Sequence, residues 1–103
     1  MTLYAQLLTI ALEDREADER RPTSELISRV IAQRAFLAET KDRADRVSGA
    51  LAYDVALARL CERLQIDHEL TGEQAGPPAR LATERLLLQR LPSLADALKA
   101  DEP

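Results

Sequence analysis

The residues whose types could support chemistry lie in and just after one long apolar segment. Asp67, His68 and Glu69 are consecutive, and Asp54 and Cys61 precede them. A metal site needs ligands that converge from a spacing such as His-x-x-x-His or from separate segments, whereas consecutive residues point in different directions. His68 is also the single histidine of the chain. We therefore expect no metal site, and we interpret His68 as a residue that interacts with a helix C-terminus, most favourably when protonated.

Cys61 is a candidate nucleophile by residue type alone. A catalytic thiol needs a base and a lowered pKa, and no histidine lies near Cys61 in the sequence. We expect a small buried side chain instead. A single cysteine forms no intramolecular disulfide, which agrees with a reducing compartment. Glycine-rich phosphate loops and a nucleophile elbow do not occur in the sequence, so we expect neither catalysis nor a cofactor.

Asp54 is the most informative polar residue because it shares a helical line with Val47, Leu51, Ala58 and Cys61. This spacing predicts that its carboxylate is buried. A buried acid needs a partner, which an arginine of the second or fourth predicted helix could supply. Removing one member of a buried pair costs roughly 3 to 5 kcal/mol, so we expect Asp54→Ala to lower the melting temperature clearly. The alternative is an acid with a raised pKa in a pocket.

The composition indicates an all-α fold. Of 103 residues, 18 are Leu and 17 are Ala, whereas Val and Ile together number seven; this balance favours helices over sheets. The length suits one domain, residues 1–103, with 100–103 as a frayed tail. Abundant Ala and Arg suggest a bacterial coding bias.

Apolar spacing and proline positions predict a compact bundle of four main helices plus a short C-terminal helix. The first helix is expected over residues 2–20 and the second over 24–39, with a turn near Thr40. The third contains the apolar spacing of residues 47–64 and ends near 66. The fourth begins at Pro77 or Pro78 after a long loop and stops before Pro92. A short fifth is expected over 93–99.

The apolar residues at helical spacing form the predicted core. They are Tyr4, Leu7, Ile27, Val30, Ile31, Tyr53, Leu57, Leu60, Leu64, Leu81, Leu88 and Leu91. The first and fourth helices contain more large apolar residues than one face holds, and such a surplus is either enclosed by the bundle or left exposed as an interface. We expect the second outcome, a noncatalytic protein–protein interaction module that forms a homodimer. The candidate interface residues are Leu8, Leu12, Leu86 and Leu87.

The net charge and the hydropathy of the chain do not favour nucleic-acid binding or membrane insertion. The formal net charge is −4, so no global field attracts nucleic acid. The longest uncharged run, residues 1–12, is shorter than the roughly 20 residues of a membrane span, and we expect a cytoplasmic protein without a membrane partner. Two alternatives stay open, a transcription-linked or nucleic-acid-associated regulator and a bundle with a small-molecule pocket.

Overall fold

A computed structural model of the chain describes residues 3–13, 20–71 and 76–98, and every regular element in this part is helical. The four main helices are α1 (Leu3–Ala11), α2 (Thr23–Glu39), α3 (Arg43–Leu64) and α4 (Pro77–Arg90). A 3-10 turn, Pro92–Leu94, leads into a single α-helical turn, α5 (Ala95–Leu98). The predicted all-α bundle is confirmed, and its short C-terminal helix begins as this 3-10 turn.

The predicted break between the second and third helices lies where local hydrogen bonds favour it. Thr40 ends α2, and both its amide and its hydroxyl donate to the carbonyl of Phe36. Asp42 then caps α3, because its carboxylate accepts hydrogen bonds from the amides of Ala44 and Asp45. Two helix ends therefore meet without a glycine or proline between them.

The first helix is shorter than predicted. α1 ends at Ala11, and the amide of Leu12 turns back to the carbonyls of Leu8 and Thr9. Residues 14–19 of the predicted extension lie outside the described residues. α1 is therefore a helix of nine residues, below the roughly 12 to 15 at which an isolated helix becomes stable in water, so its stability depends on its contacts with the bundle.

α3 is the central helix and packs against α1, α2 and α4. Its middle, from Tyr53 to Cys61, is buried except for Val55, which is partly exposed. The core consists of Leu8, Leu12, Leu26, Val30, Tyr53, Ala56, Leu57, Ala58, Leu60, Cys61, Leu70, Ala79, Leu87, Leu94 and Leu98. None of the described helices is long and apolar enough to cross a membrane.

Three residues of the predicted core were assigned wrongly. Leu7, Ile31 and Leu81 are exposed, although each lies at helical spacing from a partly buried residue that packs against the core, which is Tyr4, Ile27 and Leu88 respectively. Leu8 and Val30, the residues next to Leu7 and Ile31, are buried. In helices with adjacent large apolar residues, spacing indicates a helix but does not fix which face turns inward.

Candidate functional site

Asp54 lies fully buried where α1, α3 and α4 meet. The hydroxyl of Tyr4 donates a hydrogen bond to Asp54 Oδ2. Arg80 donates from Nε to Oδ1 over 2.7 Å and from Nη2 to Oδ2 over 2.9 Å, a bidentate pair of the strong, directional kind. Arg80 Nη2 also lies 3.4 Å from the Tyr4 oxygen. We call Tyr4, Asp54 and Arg80 the α1 cluster.

The α1 cluster has a structural rather than a proton-transferring character. Burial, followed by the hydrogen bond to Asp54, raises the pKa of the Tyr4 phenol well above its usual range. The hydrogen bond to Asp54 likewise raises the pKa of Arg80. Tyr4 and Arg80 therefore both keep their protons at neutral pH, and the cluster fixes α1 and α4 on α3.

A second group, which also combines a tyrosine, a carboxylate and an arginine, includes the preceding residue of α3. Tyr53 donates its hydroxyl hydrogen to Glu84 Oε2 of α4. Arg34 of α2 has its Nε 3.9 Å from the same oxygen, and its guanidinium carbon lies 5.7 Å from the Tyr53 ring centre. Arg34 Nη2 also reaches the carbonyl of Leu98 over 3.4 Å. We call Tyr53, Glu84 and Arg34 the α2 cluster, since it connects α2 to α3, α4 and the C-terminal turn.

The two faces of α1 are both apolar, and the structure gives them opposite environments. Ala5, Leu8 and Leu12 are buried against the bundle. On the other side Leu3, Leu7 and Ile10 are 72%, 45% and 62% exposed. We call these three residues the α1 outer face. Their spacing of four and three places them on one stripe of the helix.

This stripe distinguishes α1 from the other described helices. Ile31 and Phe36 of α2 are also exposed, as are Leu81 and Leu86 of α4. Each of these two pairs is five residues apart, which corresponds to about 140° around a helix. Their side chains therefore diverge and do not form a continuous apolar stripe.

The predicted interface residues are located mostly in the core. Leu8, Leu12 and Leu87 are buried within the chain, so their assignment to an exposed interface needs correction. Leu86 is 40% exposed and is available at the surface. The first helix does have surplus apolar residues, but the exposed ones are Leu3, Leu7 and Ile10 and not the predicted Leu8 and Leu12. α1 is rotated so that Leu8 is buried against the bundle.

Burial shifts the pKa values of Cys61 and His68 so that the uncharged form of each side chain is favoured. Burial raises the pKa of the Cys61 thiol to about 12, and the charge of Glu62 acts in the same direction, so a thiolate is disfavoured. His68 is half-buried, and its Nδ1 accepts a hydrogen bond from the amide of Leu70 over 3.3 Å. Burial lowers the pKa of His68. His68 lies four residues beyond the end of α3 at Leu64, and its lowered pKa disfavours the protonated form, in which the predicted interaction with a helix C-terminus would be strongest.

The charged side chains of the described residues do not assemble a metal centre. No group of three or more His, Cys, Asp or Glu side chains in this part of the chain could hold a metal ion. Asp67 and Glu69, the neighbours of His68, are exposed. The described residues thus offer two buried ionic clusters and one exposed apolar stripe as their distinctive features.

Comparison with known proteins supplies no functional assignment. No family model matches the chain, and no curated protein or solved structure is significantly similar to it. The functional interpretation therefore depends on the geometry of the residues described above.

Proposed function

We propose that this chain is a noncatalytic protein–protein interaction module that associates with a second copy of itself through the α1 outer face. The observation that supports this proposal is the stripe of Leu3, Leu7 and Ile10, three large aliphatic side chains left exposed along one side of a helix. Aligned apolar side chains of this kind are a feature of helix–helix interfaces. A symmetric dimer is the commonest way to cover such a surface.

A second copy is a compatible partner because α1 contains no charged residue. Each chain has a formal net charge of −4, which opposes the approach of an identical chain. The segment Leu3–Ala11 contains no charged residue, so a contact between two α1 helices places no like charges opposite each other. We therefore expect association to strengthen at higher ionic strength, because salt screens the remaining repulsion. A contact based on ion pairs would weaken instead.

The size of the surface sets the expected affinity. Nine residues of α-helix extend over about 14 Å, less than a standard interface requires. Fully burying a Leu or Ile side chain stabilises by about 1.5 to 3 kcal/mol, and the loss of translational and rotational freedom opposes this gain. We therefore expect a weak dimer, with a dissociation constant in the micromolar range or above.

The buried titratable groups support the noncatalytic part of the proposal. Asp54 is engaged by Tyr4 and Arg80, and the Cys61 thiol keeps its proton. An acid–base catalyst needs a group that exchanges its proton near the working pH. Tyr4, Cys61 and Arg80 do not meet that requirement, because the pKa of each is raised above its usual range.

Solution mass across a concentration series tests the proposal. The chain has a mass of 11.5 kDa, and light scattering at up to about 1 mM protein covers weak association. We expect the mass to rise towards that of a dimer with increasing concentration. Leu7→Glu should abolish the rise, whereas Leu86→Glu should preserve it. The two leucines are 45% and 40% exposed, so the second variant is a matched control for an added charge at an exposed leucine.

The light-scattering results can contradict either self-association or the assignment of the interface to α1. A monomer at every concentration contradicts self-association. A rise that Leu86→Glu abolishes, or that Leu7→Glu leaves unchanged, contradicts the assignment to α1. Circular dichroism of both variants verifies that each remains folded. Leu87 was also predicted from the sequence to lie in the interface, but Leu87→Glu is unsuitable as a test of dimer formation. Leu87 is fully buried, and a charge there would disrupt the core.

A further inference from the structure

A groove beside the α1 cluster is lined by four basic residues. It has a volume of about 390 Å³, within the range of small-molecule sites. Lys41, Arg43 and Arg46, from the turn before α3 and its first residues, line one side, and Arg80 of α4 lines the other. No acidic residue is among the described residues that line it.

The three cations of the turn and of α3 have no anionic partner within the described part of the chain. None of its ion pairs includes Lys41, Arg43 or Arg46, and all three side chains are exposed. The neighbouring Asp42 has its Oδ1 occupied by the amides at the start of α3. Residues 41–46 contain three cations and two acids, Asp42 and Asp45, so this wall of the groove keeps a small positive surplus in a chain whose net charge is −4.

Arg80 contributes to the groove differently from the other cations. Its charge is balanced by Asp54, which binds it through two hydrogen bonds. Its guanidinium is held in one orientation by Asp54 and Tyr4. Arg80 therefore forms a fixed polar wall, while the surplus of positive charge comes from the three exposed cations.

The remaining lining of the groove is apolar. It includes Val47 and Ala50 of α3, Pro77 at the start of α4, and Tyr4. Val47 is a large aliphatic residue that is exposed in this structure. A ligand that covers it gains free energy from burial, while its anionic group contacts the cations. A bare inorganic ion would leave this apolar surface exposed.

We propose that this groove binds a small organic anion in which a phosphate or carboxylate group is attached to an apolar ring. Three cations are few for a nucleic-acid surface, because affinity for a duplex depends on many phosphate contacts. The acidic net charge of the chain opposes such a long polyanion as well. The volume and the mixed lining fit one small molecule.

A titration monitored by amide chemical shifts tests this site on the full chain. The probes are phenyl phosphate, inorganic phosphate, which lacks the ring, and phenol, which lacks the charge. We expect phenyl phosphate to shift the amides of Val47, Ala50 and Arg80 in a saturable manner. We expect each partial probe to bind at least about tenfold more weakly, since each lacks one of the two contacts. Equal binding of inorganic phosphate would overturn the role of the apolar lining.

Charge reversal distinguishes the groove from a general charge effect. Arg46→Glu should weaken phenyl phosphate binding by at least about tenfold, because it replaces an attraction by a repulsion. Arg85→Glu is the matched control, since Arg85 is an exposed arginine of α4 that does not line the groove. Equal losses in both variants, or shifts remote from the groove, would overturn the proposal. So would a short DNA duplex that binds at the same residues more tightly than phenyl phosphate.

We expect the binding of phenyl phosphate in the groove to be independent of dimer formation. Repeating the titration on Leu7→Glu at low protein concentration measures the groove in a chain whose α1 outer face is altered. Unchanged binding of phenyl phosphate would agree with a separate site. Loss of binding in this variant, if it remains folded, would overturn the inference that the groove is complete within one chain.

Discussion

The α1 cluster and the α2 cluster include consecutive residues of α3, and each combines a tyrosine, a carboxylate and an arginine, yet they differ in strength. In the α1 cluster the carboxylate of Asp54 is fully buried and forms two short hydrogen bonds with its arginine. In the α2 cluster Glu84 is 12% exposed, and its nearest arginine nitrogen is 3.9 Å away. The stronger cluster therefore holds the shortest of the four main helices.

This difference explains how α1 keeps a defined orientation. Consecutive residues of a helix point about 100° apart, so Tyr53 and Asp54 contact different neighbours. α2 has 17 residues and a long contact with α3, whereas α1 has nine and is apolar on both sides. Burial alone would stabilise either face of α1 almost equally. The hydrogen bond from Tyr4 to Asp54 selects the rotation that leaves the α1 outer face exposed.

Among the substitutions that test this comparison, Asp54→Ala is expected to lower the free energy of unfolding most. The substitution leaves the Arg80 charge without its buried partner, and we expect a loss of about 3 to 5 kcal/mol in the free energy of unfolding. Chemical denaturation monitored by circular dichroism measures it. A loss of less than about 1 kcal/mol, the usual value for exposed pairs, would contradict the structural role of the α1 cluster.

Glu84→Ala is expected to have a smaller effect. The Tyr53 hydroxyl loses its acceptor, which costs roughly 1 to 3 kcal/mol when the group stays buried, while the ion pair with Arg34 is long and contributes little. The same denaturation experiment places this variant between wild type and Asp54→Ala. A loss equal to or greater than that of Asp54→Ala would reverse the ranking of the two clusters.

Tyr4→Phe isolates the contribution of α1 itself. It removes the hydrogen bond that Tyr4 donates to Asp54 and the long one that it accepts from Arg80. The Asp54–Arg80 pair is retained, so we expect about 1 kcal/mol of destabilisation. Hydrogen exchange should accelerate mainly in the amides of α1. Uniform acceleration across α2 and α3 would show that Tyr4 acts on global stability and not on the orientation of α1.

The smallest expected effect concerns pH. Burial lowers the pKa of His68 in the folded chain, although Glu62 and Asp67 oppose this shift. Below the unfolded value of about 6.5 the unfolded chain then binds more protons than the folded one, so stability falls as the pH decreases. His68→Gln should reduce this decrease between about pH 7 and 5. An unchanged pH dependence in the variant would contradict a neutral, half-buried His68.

The sequence predicted the elements better than their orientation. The apolar spacing of α3 identified that helix, and its helical line placed Asp54 inward, where it lies. Adjacent leucines in α1 and α4 made both faces equally acceptable, and therefore Leu7 and Leu8 were assigned to the wrong sides. The rotation depends on a hydrogen bond between residues 50 positions apart, which local spacing does not encode.

The basic groove was missed for a related reason. Lys41, Arg43 and Arg46 lie in a segment that alternates with acids, a pattern typical of a solvated helix end. Their proximity to Arg80 follows only from the packing of α3 against α4. The position of Asp42 could have indicated the groove. An N-cap residue directs its carboxylate to the helix amides, and the adjacent cations then lack it as a hydrogen-bonding partner.

We infer that the inner face of α1 holds this helix on the bundle and that its outer face associates with a second copy. Amide chemical shifts measured at increasing protein concentration test both parts of this inference. We expect concentration-dependent shifts at Leu3, Leu7 and Ile10, with α2 and the exposed Leu81 and Leu86 unaffected. The Leu7→Glu variant should show no such shifts. Shifts located on α2 or α4 while α1 stays unchanged, or spectra that do not vary with concentration, would contradict the claim.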